Sequence, residues 1–404
     1  MASALSDDEI DYSNWHHTLF SSTPSFIEHA TFKDLVYPGT HDSGAYGSAL
    51  LTHTADNKPF PMALPYLGSK GVEKLRNAVQ GVTRMQESDV TSQLKHGARY
   101  LDLRFATPKG KGEGELWLTH AFAYNPAEEV LREIASFVQE HPGEILIFLC
   151  RNAYPQNTQT PQITSLVLKH LGAYAHPNLC NNSTYTSLAH MLSTNQRVIL
   201  AWETAPSVPY DKEVPEVVED KQWWRAEQLF SWTWLPNNGD WKPRTAYMVT
   251  HARTWEHEYG QWNPRVDLHI HSELDEEEEG EVKRRLRNGK KILIWSHQIS
   301  YLGSRAIPAQ LMPWNNGRTF RELARSYNNV FPQHFPFSER EAERHEATEE
   351  ALLPVPEDVR DNIGIIHVDF HNEVYKDLMA FTISSNKRRM KAILSEKRLS
   401  GPYE

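Results

Sequence analysis

Cysteine is nearly absent from this chain: Cys150 and Cys180 are the only two among 404 residues. A disulfide framework is excluded, and both are expected as free thiols in a reducing compartment. Long hydrophobic runs are missing too, with none approaching the ~20 apolar residues that cross a bilayer. The stretch Met1 to Tyr12 has no basic residue and carries Asp7, Asp8, Glu9 and Asp11. A secretory leader needs a basic start and an apolar core, so none is expected and the reading is cytoplasmic, with peripheral membrane contact as the one addition. Positive charge is in deficit, 42 Lys and Arg against 52 Asp and Glu, giving a net charge of −10. That sign argues against bulk attraction to nucleic acid or to an anionic membrane surface. No internal repeat and no long low-complexity tract is found.

What is present describes a globular protein, 39% hydrophobic and 23% charged. Much of the acidic excess is local: Glu273 to Glu281 is almost continuously acidic and is followed by Lys283-Arg284-Arg285, Arg287 and Lys290-Lys291. A solvated helix with i,i+4 pairing accounts for this pattern. Eight short β-type runs recur along the chain: Asp34–His41, Arg99–Phe105, Leu116–Phe122, Glu144–Cys150, Arg197–Glu203, Leu229–Leu235, Lys291–Trp295 and Ile363–Phe370. Several are continuously apolar, as in Ile145-Leu146-Ile147-Phe148-Leu149, which suits a parallel sheet covered on both faces. Helical periodicity falls between them, at Val72–Leu94, Ala127–Glu140 (opened by Asn125-Pro126 as cap and first-turn proline), Gln162–Leu171, Thr184–Leu192, Glu273–Arg287, Arg318–Tyr327 and Asn372–Leu394. Eight strands with interleaved helices predict an α/β fold, an irregular TIM-type (β/α)8 barrel with a closed parallel sheet and helices outside. One domain over 1–404 is expected, with a long insertion at 301–361. The link Thr107–Glu115 is too short for a helix, so the barrel is not a regular one.

Position then selects the chemistry. His41, Arg104 and His120 fall at or near the ends of the first three predicted strands, and barrel enzymes work at that face. Two imidazoles and a fixed cation are what metal-free phosphodiester cleavage requires. One His takes a proton from the attacking hydroxyl, the other gives one to the leaving oxygen, and the guanidinium offsets charge on the phosphoryl oxygens. Arg104 could instead simply pair with Asp102 inside the barrel. Trp234 and Tyr301, near strand exits, could stack on a sugar ring or pack in the core. Cys150 reads as a small apolar filler. The H-x-H of Asp267-Leu268-His269-Ile270-His271 resembles a paired-metal motif, but it lies deep in the chain and not on a first strand.

These segments resemble the X domain of phosphatidylinositol-specific phospholipase C, in its bacterial and single-domain eukaryotic forms. The likeness rests on Pro38-Gly39-Thr40-His41-Asp42-Ser43, on the stretch from Gln93 to Arg104, on Leu118-Thr119-His120, on Phe137–Arg151 and on Gly364–Phe370. It implies an irregular TIM-type barrel. It also implies His41 as general base toward the inositol 2-hydroxyl with Asp369 orienting it, Arg104 on the phosphate, His120 as general acid and Asp42 assisting it. Arg151 would be an inositol-phosphate contact, with Asp102, Trp234 and Tyr301 as further substrate-binding candidates. The substrate would be a phospholipid or glycerophosphodiester. In calcium-dependent relatives an Asn follows the first His and a carboxylate lies in the second strand. Here Asp42 and Arg104 stand there, and a guanidinium has no acceptor for a cation, so no cofactor and no metal are expected. No segment reads as an EF-hand loop. Many members have Gly after the second His, whereas this chain has Ala121. Two readings remain beside this one: a metal-dependent glycerophosphodiesterase or phospholipase D-like barrel, and a non-catalytic lipid or inositol-phosphate binding module. The aromatic stretch Phe331–Phe337, with Pro313-Trp314, is the expected point of membrane contact.

Overall fold

The computed structural model describes residues 11–54, 83–108, 115–154, 160–178, 186–203, 222–232, 292–297 and 357–399, with isolated positions between them. Eleven strands are described: β1 Tyr37–Thr40, β2 Leu50–Thr54, β3 Tyr100–Ala106, β4 Trp117–His120, β5 Phe122–Pro126, β6 Leu146–Tyr154, β7 Val198–Trp202, β8 Trp223–Arg225, β9 Phe230–Trp232, β10 Ile292–His297 and β11 Ile363–Val368. Eight of them form one parallel, curled sheet in the order β8-β7-β6-β3-β1-β11-β10-β9. Its two edge strands, β8 and β9, are successive in the chain and are joined by the short helix Ala226–Leu229. Among the described residues no ladder pairs those edges.

The continuous apolar runs have the reason expected of them. Inner-facing residues such as Tyr37, Tyr100, Ile147, Leu149, Ile199, Ile294 and Ile365 share one core, whereas the alternate Leu101, Leu103, Leu146, Phe148, Cys150 and Leu200 belong to a second. That second core lies under the helices Ala127–Glu140, through Val130, Leu131, Ile134 and Phe137, and Thr160–Leu171, through Ile163 and Val167. Both faces of these strands are therefore buried, and a polar alternation would be destabilising. Close approach inside the barrel explains Gly39: a Cβ there would lie 2.7 Å from Tyr100 Cδ1.

Three expectations are corrected. Leu116–Phe122 is not a barrel strand. It contains β4, which runs antiparallel to β3 with Phe105 opposite Leu118 and Ala106 opposite Trp117, and continues through β5 to β2. The short link after β3 forces this, because a parallel neighbour needs a crossover of a dozen or more residues. The place in the barrel goes to β8, which was too short to register as a run. Second, Asn125 does not cap the helix Ala127–Glu140; Pro126 holds that position, and Asn125 Nδ2 donates to Gly44 O at 2.9 Å and Tyr46 O at 3.1 Å. Third, Phe331 and Phe335 are fully buried against Trp295, Leu378 and Phe381, so these two rings are core and not membrane anchors. Phe337, Pro313-Trp314, Glu273–Arg287, Arg318–Tyr327 and the His269-Ile270-His271 motif lie outside the described residues, as does most of 301–361.

The N-terminal end of the barrel is closed by the helices Trp15–Ser22 and Pro24–His29, which send Trp15, Leu19, Phe20 and Phe26 into the inner core. A buried ion pair fastens them. Arg99 Nε meets Glu144 Oε2 at 2.8 Å, Arg99 Nη2 donates to Ser13 O at 2.6 Å, and Glu144 accepts from His17 N at 2.9 Å. Burial works against the Glu144 carboxylate, but the Arg99 charge, His16 and the hydrogen bond from His17 N together outweigh it and hold the pKa at about 2. The Glu144 contribution to stability is therefore complete above its ordinary value and is lost as pH falls toward 2. Glu144→Ala should lower unfolding free energy by about 3–5 kcal/mol, because it strands a buried guanidinium. The double change Arg99→Met with Glu144→Leu should cost less, and chemical denaturation of the three chains checks both statements.

Candidate active site

Register places the first pair of site residues. In the parallel ladder of β1 and β11, Thr40 lies opposite Val368, so the residues that follow, His41 and Asp369, leave the sheet as neighbours. His41 Nδ1 and Asp369 Oδ1 are 2.8 Å apart across 328 residues of sequence. Asp102 and Arg104, two apart on β3, point to the same inner face, and Arg104 Nη2 reaches Asp102 Oδ2 at 2.8 Å. His120 ends β4, and the antiparallel return of that strand carries it back over the barrel mouth.

The chain must bend sharply to make these exits. Asp42, Ala121 and Phe370 adopt left-handed φ values of 45°, 60° and 50°. Each costs a non-glycine residue roughly 1–2 kcal/mol, which gives a physical reason for glycine after the second His in many members of the resembling family. Ala121 is the smallest side chain that still pays this strain.

Hydrogen bonding fixes the protons. Arg104 has only donors, and its Nη2 lies 2.6 Å from His41 Nε2, so that nitrogen accepts and the ring proton sits on Nδ1, donated to Asp369. His120 Nδ1 lies 2.8 Å from the Thr83 carbonyl, which only accepts, so this ring also carries its proton on Nδ1. Both Nε2 atoms then face one carboxylate: Asp42 Oδ2 is 3.2 Å from that of His41 and 3.6 Å from that of His120. The two ring centroids are 6.4 Å apart. The His120 side chain is 24% exposed against 8% for His41, so the site opens on the His120 side.

Arg104 is the hub. Its Nε is ion-paired with Asp42, its Nε and Nη2 donate to Asp102, and its Nη2 donates to His41. Among the described residues its Nη1 makes no hydrogen bond. Burial opposes the charge on Arg104, but Asp102 and Asp42 raise its pKa above the ordinary value. Burial likewise opposes the Asp102 carboxylate, yet Arg104 and Arg151 hold its pKa far below the usual range. Burial pushes the His41 pKa down to about 3 despite Asp42, so the ring is a neutral base. One donor set could hold a cation: ligand atoms of His41, Asp42 and Asp102 lie within 4.8 Å of one another. The Arg104 guanidinium already contacts all three of these residues.

Arg151, at the C-terminal end of β6, lies 4.0 Å from Asp102 Oδ1 and pairs with Glu203 at 3.1 Å. Sequence reasoning did not assign Glu203 a place in the site, and the nearby His367, whose ring centroid is 5.5 Å from that of His41, was noted only as part of a strand. Thr83 was placed inside a helix with no role. Trp234 and Tyr301 lie outside the described residues.

The chain from 77 to 229 matches the PI-PLC X 1 family model. Over that stretch the chain is similar to the PI-PLC X domain family. PI-PLC X domain-containing protein 1 of Homo sapiens is 29% identical over 184 residues, 43% of this chain and 53% of that protein. Its Mus musculus counterpart is 28% identical over 193 residues, 47% of this chain and 53% of that protein. The match thus spans about half the length of these curated relatives. The solved structure of phosphatidylinositol-specific phospholipase C from Listeria monocytogenes superposes with a TM-score of 0.53 at 15% identity, covering 93% of this chain and 99% of that one. At that identity the likeness is one of fold, and it agrees with the curled eight-stranded sheet. Among the described residues, no helix is long and apolar enough to cross a membrane.

Burial has a measurable consequence here. His41, His367 and His371 are all held at pKa values of about 3 by desolvation, against 6.5 for the free side chain. Between those values the unfolded chain binds protons that the folded chain does not, so stability is full above pH 6.5 and falls as pH drops toward 3. Melting temperature should therefore decline steadily on acidification from pH 7 to pH 4. His371→Phe, away from the reacting groups, should flatten that slope by about one proton's worth, and calorimetric melts across this range check it.

Proposed function

We propose that this chain is a phosphodiesterase of the phospholipase C type, acting on phosphatidylinositol or a related glycerophosphodiester through a cyclic phosphate. The observation that carries the reading is the convergence of two imidazole Nε2 atoms on Asp42 beside a guanidinium with one unused face. The geometry supports the following steps. His41 Nε2, whose ring is oriented through Nδ1 by Asp369, exchanges its hydrogen bond from Arg104 Nη2 for the inositol 2-hydroxyl when the phosphate draws the guanidinium, takes that hydroxyl's proton, and the oxygen attacks phosphorus. The phosphorus bond to the glycerol oxygen breaks, and His120, entering the step as an imidazolium with one proton on Nδ1 toward Thr83 O and a second on Nε2, delivers the Nε2 proton to the departing oxygen. Asp42, which faces that nitrogen, is an acceptor for the proton it must carry. The products are a 1,2-cyclic inositol phosphate and diacylglycerol. A second step with the two rings exchanging roles opens the cyclic ester with water. Arg104 Nη1 is the candidate donor to a phosphoryl oxygen, and charge-assisted contacts of this kind act where negative charge builds. Arg151, with Glu203 beside it, is the candidate contact to the head group.

A metal-dependent hydrolysis is the second reading, supported by the donor trio of His41, Asp42 and Asp102. The two readings part in one experiment. Purified chain incubated with phosphatidylinositol in EDTA, followed by ³¹P NMR, should give a cyclic phosphodiester signal. Activity lost in EDTA and restored by a divalent cation would favour the second reading, and no turnover under either condition would leave a binding module. Within the active protein, His41→Ala and His120→Ala should each lower kcat about 10²–10⁴-fold. Arg104→Lys should also fall sharply, since an ammonium cannot hold Asp42, Asp102 and His41 while keeping a free pair of donors.

A further inference from the structure

The segment Thr83–Gln86 bonds to His120, to the exits of β1 and β11 and to the loop after Asp42 without contributing a reacting group. Thr83 O accepts the His120 Nδ1 proton at 2.8 Å, and Met85 O accepts from Phe370 N at 2.8 Å. Met85 N and Gln86 N both donate to Ala45 O at 3.1 Å, in the loop that follows Asp42. Gln86 is 1% exposed and its carboxamide is used at both ends. Its Nε2 donates to His41 O at 2.8 Å and Val368 O at 3.0 Å, and its Oε1 accepts from His371 N at 3.0 Å. The location gives these bonds their meaning. The backbone ladder between β1 and β11 ends with His41 N donating to Val368 O at 3.1 Å, after which Asp42 and Phe370 turn both chains away. The Gln86 side chain supplies the next rung from a third segment.

We propose that Gln86 is a positioning residue for the His41–Asp369 pair, holding the exits of the first and last strands at one separation while its own segment references His120 to the same frame. The inference rests on the phosphodiesterase reading for its catalytic consequence, but not for its structural one. Without the carboxamide, His41 O loses a buried donor, and two left-handed exits are free to relax. The 2.8 Å contact of His41 with Asp369 and the 2.6 Å contact with Arg104 then loosen together. A displacement on the order of 1 Å can cost roughly 10²-fold in rate.

The test is Gln86→Met, similar in length and unable to hydrogen-bond. Two readouts are taken on the folded variant: ring-nitrogen NMR of His41, and steady-state kinetics on phosphatidylinositol. The expected result is loss of the single Nδ1-protonated signature of His41, with kcat down roughly 10²-fold and KM little changed. A folded Gln86→Met with wild-type ring signals and wild-type kcat overturns the inference. If that variant does not fold, Gln86→Asn, which retracts the amide by one methylene, carries the same two readouts. Failure of both to fold at any temperature assigns Gln86 to stability alone and also overturns it. A wild-type chain that cleaves no diester defeats the phosphodiesterase reading and leaves the ring-nitrogen comparison to decide on Gln86.

Discussion

The pairing of the first barrel strand with the last is the constraint on which the site depends. β1 is only four residues long, yet it lies between β3 and β11 and so joins the two ends of the chain in one sheet. Its register sets which side chains leave the mouth together. A slip of one residue would turn His41 away from Asp369, since successive side chains point to opposite faces. Gly39 and Tyr100 fit against each other only in the observed pairing, and Gln86 spans the last rung. The fold thus sets the His41–Asp369 pair first through main-chain hydrogen bonds.

Charge balance is the second level of control. Three carboxylates, Asp42, Asp102 and Asp369, lie within contact distance of His41 or Arg104, and all three are buried. Such a group is costly unless each charge is paired. Arg104 pairs two of them directly and holds the lone-pair face of His41, which sets the tautomer of a ring that burial keeps neutral. The same guanidinium contacts each member of the donor set of His41, Asp42 and Asp102. Pairing of the buried charges and the choice of the His41 tautomer are one arrangement here.

Much of this was legible in the sequence, and the reasons differ by element. Seven of the eight parallel strands were readable as short β-type runs, several of them unbroken apolar stretches because both faces are buried, and His41, Asp42, Arg104 and His120 were readable from the motifs around strand exits. β8 was not, since Trp223–Arg225 is three residues long and looks like an aromatic dipeptide in a loop. The role of Leu116–Phe122 was misplaced because an apolar run says nothing about direction; the length of the preceding link carries that information. Gln86 left no signal at all. Its partners are backbone carbonyls at positions 41 and 368, and side chain-to-backbone contacts across such a span have no sequence pattern. Phe331 and Phe335 illustrate the opposite error, in which aromatic content suggested a surface role that burial denies.

The most direct measurement of the central claim is a crystal structure of the chain with a stable cyclic phosphodiester analogue. The account predicts phosphoryl or ring-ester oxygens within hydrogen-bond reach, roughly 2.6–3.2 Å, of both His41 Nε2 and His120 Nε2, with a third oxygen on Arg104. A phosphorus bound elsewhere on the barrel, or held in the mouth by one histidine alone, would contradict it.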